Sequence, residues 1–181
     1  LRGPHAVERH LREDRVAVTF GLKAGEDFFL AFSPERVDPG NERWNTRNVP
    51  KVVGGLTPDC SSLAKALYSA SIDTVIEVGS PKVAEMVKLL ENTFRAVNIA
   101  FANELSLICE KLKLDVWEII ELANHHPRVN ILKPGPGVGG HCIAVDPWFI
   151  VSAAPELARL IRTAREVNDR KPDHVAEQVI E

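Results

Sequence analysis

The sequence lacks the cysteine pairs that a disulfide framework or a zinc site would need. Its three cysteines, Cys60, Cys109 and Cys142, are odd in number and far apart, and none stands in a CxxC or CxxH pair. This pattern argues against a disulfide-stapled secreted domain. Because the amino terminus also lacks the charged-then-apolar form of a secretion signal, we expect a reduced, cytoplasmic protein.

The sequence also has little net charge and no long apolar run. The formal net charge of its 181 residues is −3, which predicts neither a nucleic-acid-binding surface nor a polybasic membrane surface. Charged residues interrupt every apolar run well short of the ~18 residues that a transmembrane helix needs. The length suffices for one domain or one and a half.

A dinucleotide-binding fingerprint is missing as well, because no GxGxxG motif follows a predicted strand. The stretch "GPGVGG", residues 135–140, superficially resembles a phosphate loop. Neither a strand before it nor a helix directly after it is evident, so the motif does not predict a nucleotide site.

What the sequence does contain predicts short strands followed by long helices. Strands are expected at the apolar run Phe28–Phe32, at "KVVGG" and at "TVIEVG". Thr57 is a good N-cap and Pro58 suits a first helical position, so a helix should begin there and end near Ser69.

Three further helices are predicted from periodicity and capping. From Lys82 to about Lys113 no proline or glycine appears and apolar residues recur at helical spacing. Asp115 should cap a helix that ends near Asn124. A last helix should begin at Pro155 and be kinked or broken at Pro172.

The long loop predicted over residues 125–147 holds the most distinctive stretch, "GPGVGGHCIAVDP". Loops of this length without regular structure are usually functional or disordered. A free cysteine is most often a small buried hydrophobe, and that interpretation fits Cys60 and Cys109. Cys142 stands instead among loop glycines, whose N–H groups together with a lysine can activate a thiol as a nucleophile.

Other polar residues are candidates for binding. Lys88, Asn92 and Arg95 are spaced i, i+4 and i+7, which puts them on one face of the long helix, although such a face is often simply solvated. His126 and Arg128 together suit a phosphate or carboxylate better than a metal. A further candidate pair is Glu35 and Arg36, which follow a predicted strand, where α/β proteins place ligand contacts, and which could equally form a surface ion pair.

Four segments together resemble the nucleotide-sugar 6-dehydrogenase family, which includes the UDP-glucose and GDP-mannose dehydrogenases. They are "FSPERVDPGN", "AEMVKLLENTFRAVNIAFANELSLICE", "HHPRVNILKPGPGVGGHCIAVDPWFI" and "ARLIRTAREVND". The resemblance covers roughly residues 22–180, and residues 1–21 do not match the family pattern.

The resemblance implies an α/β family fold of which this chain holds the mostly helical middle. Residues 1–79 would be the C-terminal part of an NAD-binding Rossmann-type domain. Residues 80–181 would be a central helical dimerisation domain with a catalytic cysteine loop and the start of the helix to a missing UDP-binding domain. The implied cofactor is NAD, with its main site outside this chain, and the implied assembly is a homodimer without metal, nucleic acid or membrane.

The resemblance also implies roles for individual residues. Cys142 would be the nucleophile, Lys88 the acid and base, and Asn92 a stabiliser of the oxyanion. Glu35 would lie near the nicotinamide and the hydrolytic water, and Asp146 would support water or lysine. The implied contacts with the nucleotide sugar are Arg36, Val37, Lys88, Asn92, Arg95, His126, Arg128 and Gly139.

The implied activity is a two-step oxidation of the C6 alcohol of a nucleotide sugar to the uronate, through a cysteine thiohemiacetal and thioester. The form "GGHCIAVDPWF" with "HPRVNIL" before it is most similar to the branch that acts on UDP-N-acetyl-D-mannosamine. UDP-N-acetylglucosamine and UDP-glucose stay open as substrates. A different alternative is an inactive dimerisation module left by truncation, which flanking reading frames for the two missing domains would argue against.

Overall fold

The computed structural model describes residues 21–36, 42–140 and 142–180. That part of the chain contains five helices and one three-stranded sheet, so the prediction of a mostly helical chain around one long helix is confirmed. The residues group into two compact units that divide between Lys88 and Leu89. Each unit is described by itself.

The first unit is built on a small mixed sheet. Its strands β1 (Ala31–Phe32), β2 (Lys51–Gly55) and β3 (Val75–Val78) lie in the order β1-β2-β3. Strands β2 and β3 are parallel, whereas β1 pairs with β2 in the antiparallel sense. Because β2 is the central strand, it is buried from Val52 to its end.

Helix α1 (Pro58–Ser69) connects the two parallel strands and begins and ends where the sequence predicts. The Thr57 side chain accepts a hydrogen bond from the Cys60 N–H at 3.2 Å, as an N-cap does. Helix and strand approach closely, because a Cβ on Gly55 would lie 2.2 Å from the Ser61 nitrogen. Glycine at the end of β2 therefore permits the packing of α1.

Strand β1 is shorter and more exposed than predicted. Only Ala31 and Phe32 pair with β2, and both are half-buried. The prediction of a buried strand from Phe28 is wrong because Phe28 belongs to a turn, in which its carbonyl accepts a hydrogen bond from the Gly25 N–H at 2.7 Å. Phe29 beyond that turn is 50% exposed.

Helix α2 (Pro81–Leu112) has 32 residues and confirms the predicted long helix. Its end is a Schellman motif with Lys113 in the left-handed position, at φ 57°. The Lys113 N–H donates to the Glu110 carbonyl at 3.0 Å, and the Leu114 N–H donates to the Cys109 carbonyl at 2.9 Å. Among the described helices, none is long and apolar enough to cross a membrane.

The second unit holds most of α2 and three further helices: α3 (Val116–Asn124), α4 (Asp146–Ala153) and α5 (Arg159–Ile180). Asp115 caps α3 as predicted, because its side chain accepts hydrogen bonds from the N–H groups of Trp117 and Glu118. Helix α4 is not among the helices that the sequence predicts. Asp146 and Pro147 open it, and an acid and a proline in a first turn are a helix start signal, but both residues stand in the segment predicted as a loop.

Helix α5 runs unbroken through Pro172, so the predicted break there is wrong. It packs against α2 through polar pairs: Lys171 Nζ donates to Ser106 Oγ at 2.9 Å, and His174 Nε2 lies 2.9 Å from Glu110 Oε2. The hydrogen bond from His174 lowers the pKa of Glu110 below its usual range. Burial lowers the pKa of Lys171, and nearby Glu110 partly opposes that effect.

Candidate active site

A buried amide on α2 meets a carboxylate at the start of α4. Asn92 is 4% exposed, and its Nδ2 donates a hydrogen bond to Asp146 Oδ2 at 2.6 Å. Asp146 is the first residue of α4, where the partial positive charge of a helix N-terminus favours a carboxylate. Two candidate site residues that are 54 positions apart in the sequence are therefore held together.

Cys142 lies on the same turn as Asp146 and is exposed. Its carbonyl accepts hydrogen bonds from the N–H groups of Val145 at 3.0 Å and Asp146 at 2.8 Å. Two hydrogen bonds, one from the Asp146 backbone and one to its side chain, thus link Cys142 to Asn92. Cys60 and Cys109 are buried, so Cys142 is the accessible thiol of the chain.

The glycines before Cys142 serve two different purposes. Gly137 has φ +125°, and a Cβ there would lie 3.0 Å from the Pro172 ring and 3.2 Å from the Asn168 carbonyl. That glycine is needed for packing against α5. Gly139 and Gly140 have open space where a Cβ would be. Backbone beside the thiol is therefore free to be approached by a ligand.

Sequence reasoning missed the asparagines that hold this loop. Asn98 accepts a hydrogen bond from the Leu132 N–H at 2.8 Å and donates one to the Asn130 carbonyl at 2.9 Å. Asn103 accepts one from the Gly135 N–H at 2.8 Å. The available signal was that polar residues interrupt the apolar stretch of α2, but their partners are more than 30 residues away in the sequence.

Three predicted binding residues of the second unit are exposed. Arg95 lies on α2, and His126 and Arg128 lie in the turn after α3, where the Arg128 N–H donates to His126 Nδ1 at 3.3 Å. In the described part of this unit, the hydrogen bonds that join Asn92, Asp146 and Cys142 do not extend to these three side chains. They are open to an anionic ligand.

Three more predicted residues belong to the first unit. Arg36 Nη1 donates to the Pro50 carbonyl at 2.6 Å, which fixes the segment after β1 to the start of β2. The exposed Glu35 accepts a hydrogen bond from the Arg36 N–H at 2.7 Å. Lys88 is half-exposed and stands one helical turn before Asn92 on α2. Val37 lies outside the described residues.

The glycines at the end of β2 are used for packing within the first unit. Strand β2, helix α1 and parallel strand β3 make a βαβ unit of the kind that binds dinucleotides. The two glycines at the end of β2 are nevertheless used for packing, since a Cβ on Gly54 would lie 2.2 Å from the Ser80 carbonyl oxygen. No described group of three or more His, Cys, Asp or Glu side chains could hold a metal ion.

Comparison with known proteins decides the family. Residues 82–170 match the central domain of the UDP-glucose/GDP-mannose dehydrogenase family. The chain belongs to this family. The match includes the candidate site residues Lys88, Asn92, Asp146 and Cys142, and the resemblance drawn from the sequence motifs is confirmed.

Several relatives share this part of the chain. A UDP-N-acetyl-D-mannosamine dehydrogenase of Salmonella typhimurium is 59% identical over 91% of this chain, and an NDP-N-acetyl-D-galactosaminuronic acid dehydrogenase of Ralstonia solanacearum is 56% identical over 93% of it. The solved UDP-D-ManNAc dehydrogenase from Pyrococcus horikoshii superposes with a TM-score of 0.84, at 41% identity over 91% of this chain. The chain spans only 40% of the length of each of these proteins.

Proposed function

We propose that the full-length protein containing this chain oxidises the C6 alcohol of UDP-N-acetyl-D-mannosamine to the carboxylate in two NAD-dependent steps. The observation that supports this most is the exposed Cys142, which two hydrogen bonds tie through Asp146 to the buried Asn92 within the matched domain. Residues 1–79 would belong to the NAD-binding domain and residues 80–181 to the central domain. We expect the enzyme to act in the cytoplasm.

Cys142 supplies the covalent step. NAD, whose main binding site would lie outside this chain, would supply the hydride acceptor, and Glu35 is the residue of this chain proposed to lie near it. After the first oxidation gives the aldehyde, the Cys142 thiolate adds to C6 and forms a thiohemiacetal. Loss of the second hydride converts this adduct into a thioester, and water then releases the carboxylate and the free thiol. Gly139 and Gly140 suit this role because their open surroundings let the sugar reach the thiol.

Proton transfer and stabilisation of the developing negative charge are assigned to Lys88, Asn92 and Asp146. Lys88 takes the proton of the C6 hydroxyl and stabilises the negative charge that develops on that oxygen. Asn92 can offer an amide hydrogen to the same oxygen, because a primary amide carries two and Asp146 occupies one. The Asp146 carboxylate thereby fixes the orientation of that amide.

The nucleotide part of the substrate needs hydrogen-bond donors and positive charge. The residues proposed to meet it are the exposed Arg95, His126 and Arg128 of the second unit and the half-buried Arg36 of the first. Arginine binds phosphate oxygens through two parallel hydrogen bonds, which fits a diphosphate or a hydroxyl-rich sugar. Val37 and Gly139 are proposed to contact the same ligand. The similarity to a galactosaminuronic acid dehydrogenase at nearly equal identity keeps other nucleotide-linked N-acetylhexosamines as alternative substrates. UDP-glucose stays an alternative because the matched family includes the UDP-glucose dehydrogenases.

Dimerisation is the second part of the proposal. The exposed face of α2 in the second unit carries Leu90, Phe94, Phe101, Ile108 and Leu112, each 46–60% exposed. Phe94, Phe101 and Ile108 recur every seven residues, and Leu112 follows four residues after Ile108. These four follow the d and a positions of a heptad repeat, the pattern by which helices pair, and Leu90 stands at the adjoining g position. A second copy of the same helix matches this stripe in length and spacing. We therefore propose that it is the occupant.

The stoichiometry of Cys142→Ser tests the proposed reaction. Serine forms an alkoxide far less readily than cysteine forms a thiolate, so the adduct needed for the second oxidation would not accumulate. In the full-length protein, we expect the variant to yield at most one NADH per sugar and the wild type two. Two NADH per sugar at the wild-type rate from the serine variant would show that Cys142 is not the nucleophile.

A further inference from the structure

Two buried amides connect the cysteine loop, residues 125–145, to helix α5. Asn103 on α2 is 0% exposed and Asn168 on α5 is 1% exposed. Asn103 Oδ1 accepts from the Gly135 N–H at 2.8 Å, and Asn103 Nδ2 donates to Asn168 Oδ1 at 2.9 Å. Asn168 Nδ2 in turn donates to the Ala96 carbonyl at 2.9 Å. Three hydrogen bonds thus run in series from the loop to the middle of α2.

This series has only one possible direction. The Gly135 N–H can only donate and the Ala96 carbonyl can only accept, so the two ends fix the orientation of both amides. The Asn103 nitrogen must then face the Asn168 oxygen, as it does. Burial makes each bond costly to lose, because an unsatisfied polar group would be left without water. The amides therefore hold Gly135 at one position and not at a range of positions.

A second contact fixes the loop two residues later. Pro172 has no N–H to donate to the Asn168 carbonyl, four residues before it in α5. Gly137 lies next to the Asn168 carbonyl and the Pro172 ring, since a Cβ on Gly137 would be 3.2 Å from that oxygen and 3.0 Å from the ring. Pro172, which removes one hydrogen bond from α5, and the Asn168 carbonyl thus form the surface against which the loop packs at Gly137.

We propose that Asn103 and Asn168, together with the contact between Gly137 and Pro172, are the anchor that positions the Cys142 thiol. The loop is fixed at Gly135 and Gly137, and it is fixed again at Asp146 by Asn92. Between these points stand Gly139, Gly140 and Cys142, so the anchor limits where the thiol can lie. The functional part of this inference rests on the proposed function, because Cys142 must reach the substrate carbon.

The test uses two variants of the full-length protein, each with a matched control. Asn103→Ala removes the buried amide. Its control Ser106→Ala removes the hydrogen bond from Lys171 and the one that Ser106 Oγ donates to the Asn103 carbonyl, but it leaves the Asn103 amide and its bond to the loop in place. Gly137→Ala puts a Cβ against Pro172 and Asn168. Its control Gly135→Ala adds the same methyl group where nothing lies within 4 Å and keeps the N–H that Asn103 binds.

Amide hydrogen exchange of the segment 130–140 measures the anchor, and alkylation of Cys142 by iodoacetamide, followed on its own peptide, measures the position of the thiol. We expect Asn103→Ala to speed exchange by about fivefold, the factor that corresponds to one buried hydrogen bond of ~1 kcal/mol. Both test variants should also alkylate faster at Cys142, and neither control should. Turnover should fall by about 10–100-fold with KM for the sugar nearly constant, because misplacing a reacting group by ~1 Å can cost that much.

The buried thiols of Cys60 and Cys109 serve as internal standards. If they become reactive in Asn103→Ala, that variant has unfolded and Gly137→Ala decides the question. Exchange in the test variants equal to that of the controls would overturn the anchor. Faster exchange with unchanged alkylation of Cys142 would overturn its role in positioning. A wild-type protein that oxidises no nucleotide sugar would refute the proposed function, while exchange and alkylation would still decide the anchor.

Discussion

Exchanging the two partners of the pair Asn92–Asp146 tests whether this bond holds the candidate site. Asn92→Ala deletes the donor, Asn92→Asp replaces it with a second carboxylate, and the double variant Asn92→Asp with Asp146→Asn reverses the pair. In the reversed pair an amide again faces a carboxylate, so the hydrogen bond can form with its direction inverted. The three variants separate loss of the bond from repulsion between charges.

The magnitudes follow from the 2.6 Å distance and the burial of Asn92. Losing a hydrogen bond to a charged group costs about 1.5–3 kcal/mol, which is the expectation for Asn92→Ala. Two carboxylates at this distance would repel by about 6 kcal/mol at an effective dielectric constant of ~20. Keeping one of the two carboxyl groups protonated at pH 7 costs about 4 kcal/mol, because the pKa of an aspartic acid in a model peptide is ~3.9. This cost is smaller than the repulsion between two charged carboxylates, so about 4 kcal/mol is the expected loss of stability for Asn92→Asp.

The pH dependence identifies the cause. The folded Asn92→Asp protein would hold a proton that its unfolded chain releases, so its stability falls as pH rises, by about 1.4 kcal/mol per pH unit between roughly pH 4 and 7. Relative to wild type, Asn92→Ala should show no such slope, and the reversed pair should lose most of it.

Urea unfolding of the full-length protein at pH 5 and pH 7, followed by far-UV circular dichroism, measures these differences. Equal pH profiles for the alanine and aspartate variants would refute the reasoning. So would a reversed pair that is no more stable at pH 7 than Asn92→Asp alone.

Three further predictions concern other parts of the molecule. Lys88→Ala should slow both oxidations by about 10²–10⁴-fold and still yield two NADH per sugar, since it removes the acid and base of each step; single-turnover kinetics that slow only the second oxidation would contradict this role. Phe94→Asp with Phe101→Asp should turn a dimer into a monomer in light scattering of the full-length protein, and a persistent dimer would place the interface elsewhere. Because burial lowers the pKa of Lys171, the unfolded chain holds its proton to higher pH than the folded one, so stability should rise with pH in the alkaline range below about 10.5. Lys171→Met should lack this rise in urea unfolding.

Where local chemistry decides a structure, the sequence predicted it well. Thr57 and Pro58 start α1, and Asp115 starts α3, because a capping side chain and a proline act within one turn. The length of α2 followed from residues 82–113, which contain no proline or glycine and carry apolar residues at helical spacing. The same local reasoning failed for α4, because its starting residues Asp146 and Pro147 stand in a segment already rich in loop residues. It also failed at β1, whose length depends on how far β2 pairs with it.

The candidate site also contains features that a local sequence pattern reveals and features that depend on contacts between distant residues. Cys142 and its glycines could be singled out because their pattern is unusual over a few residues, and family motifs supplied roles for Lys88 and Asn92. The anchor of the loop could not be read from the sequence, because its bonds join residues 32 and 65 positions apart. A lone asparagine in an apolar helix only indicates that some polar partner exists. Pro172 was misjudged for a related reason: proline weakens a helix by removing one donor, but packing against the Gly137 segment stabilises α5 at that place. The interruption that a local rule interprets as the end of a helix is, in the folded protein, the place where the loop of Cys142 is held.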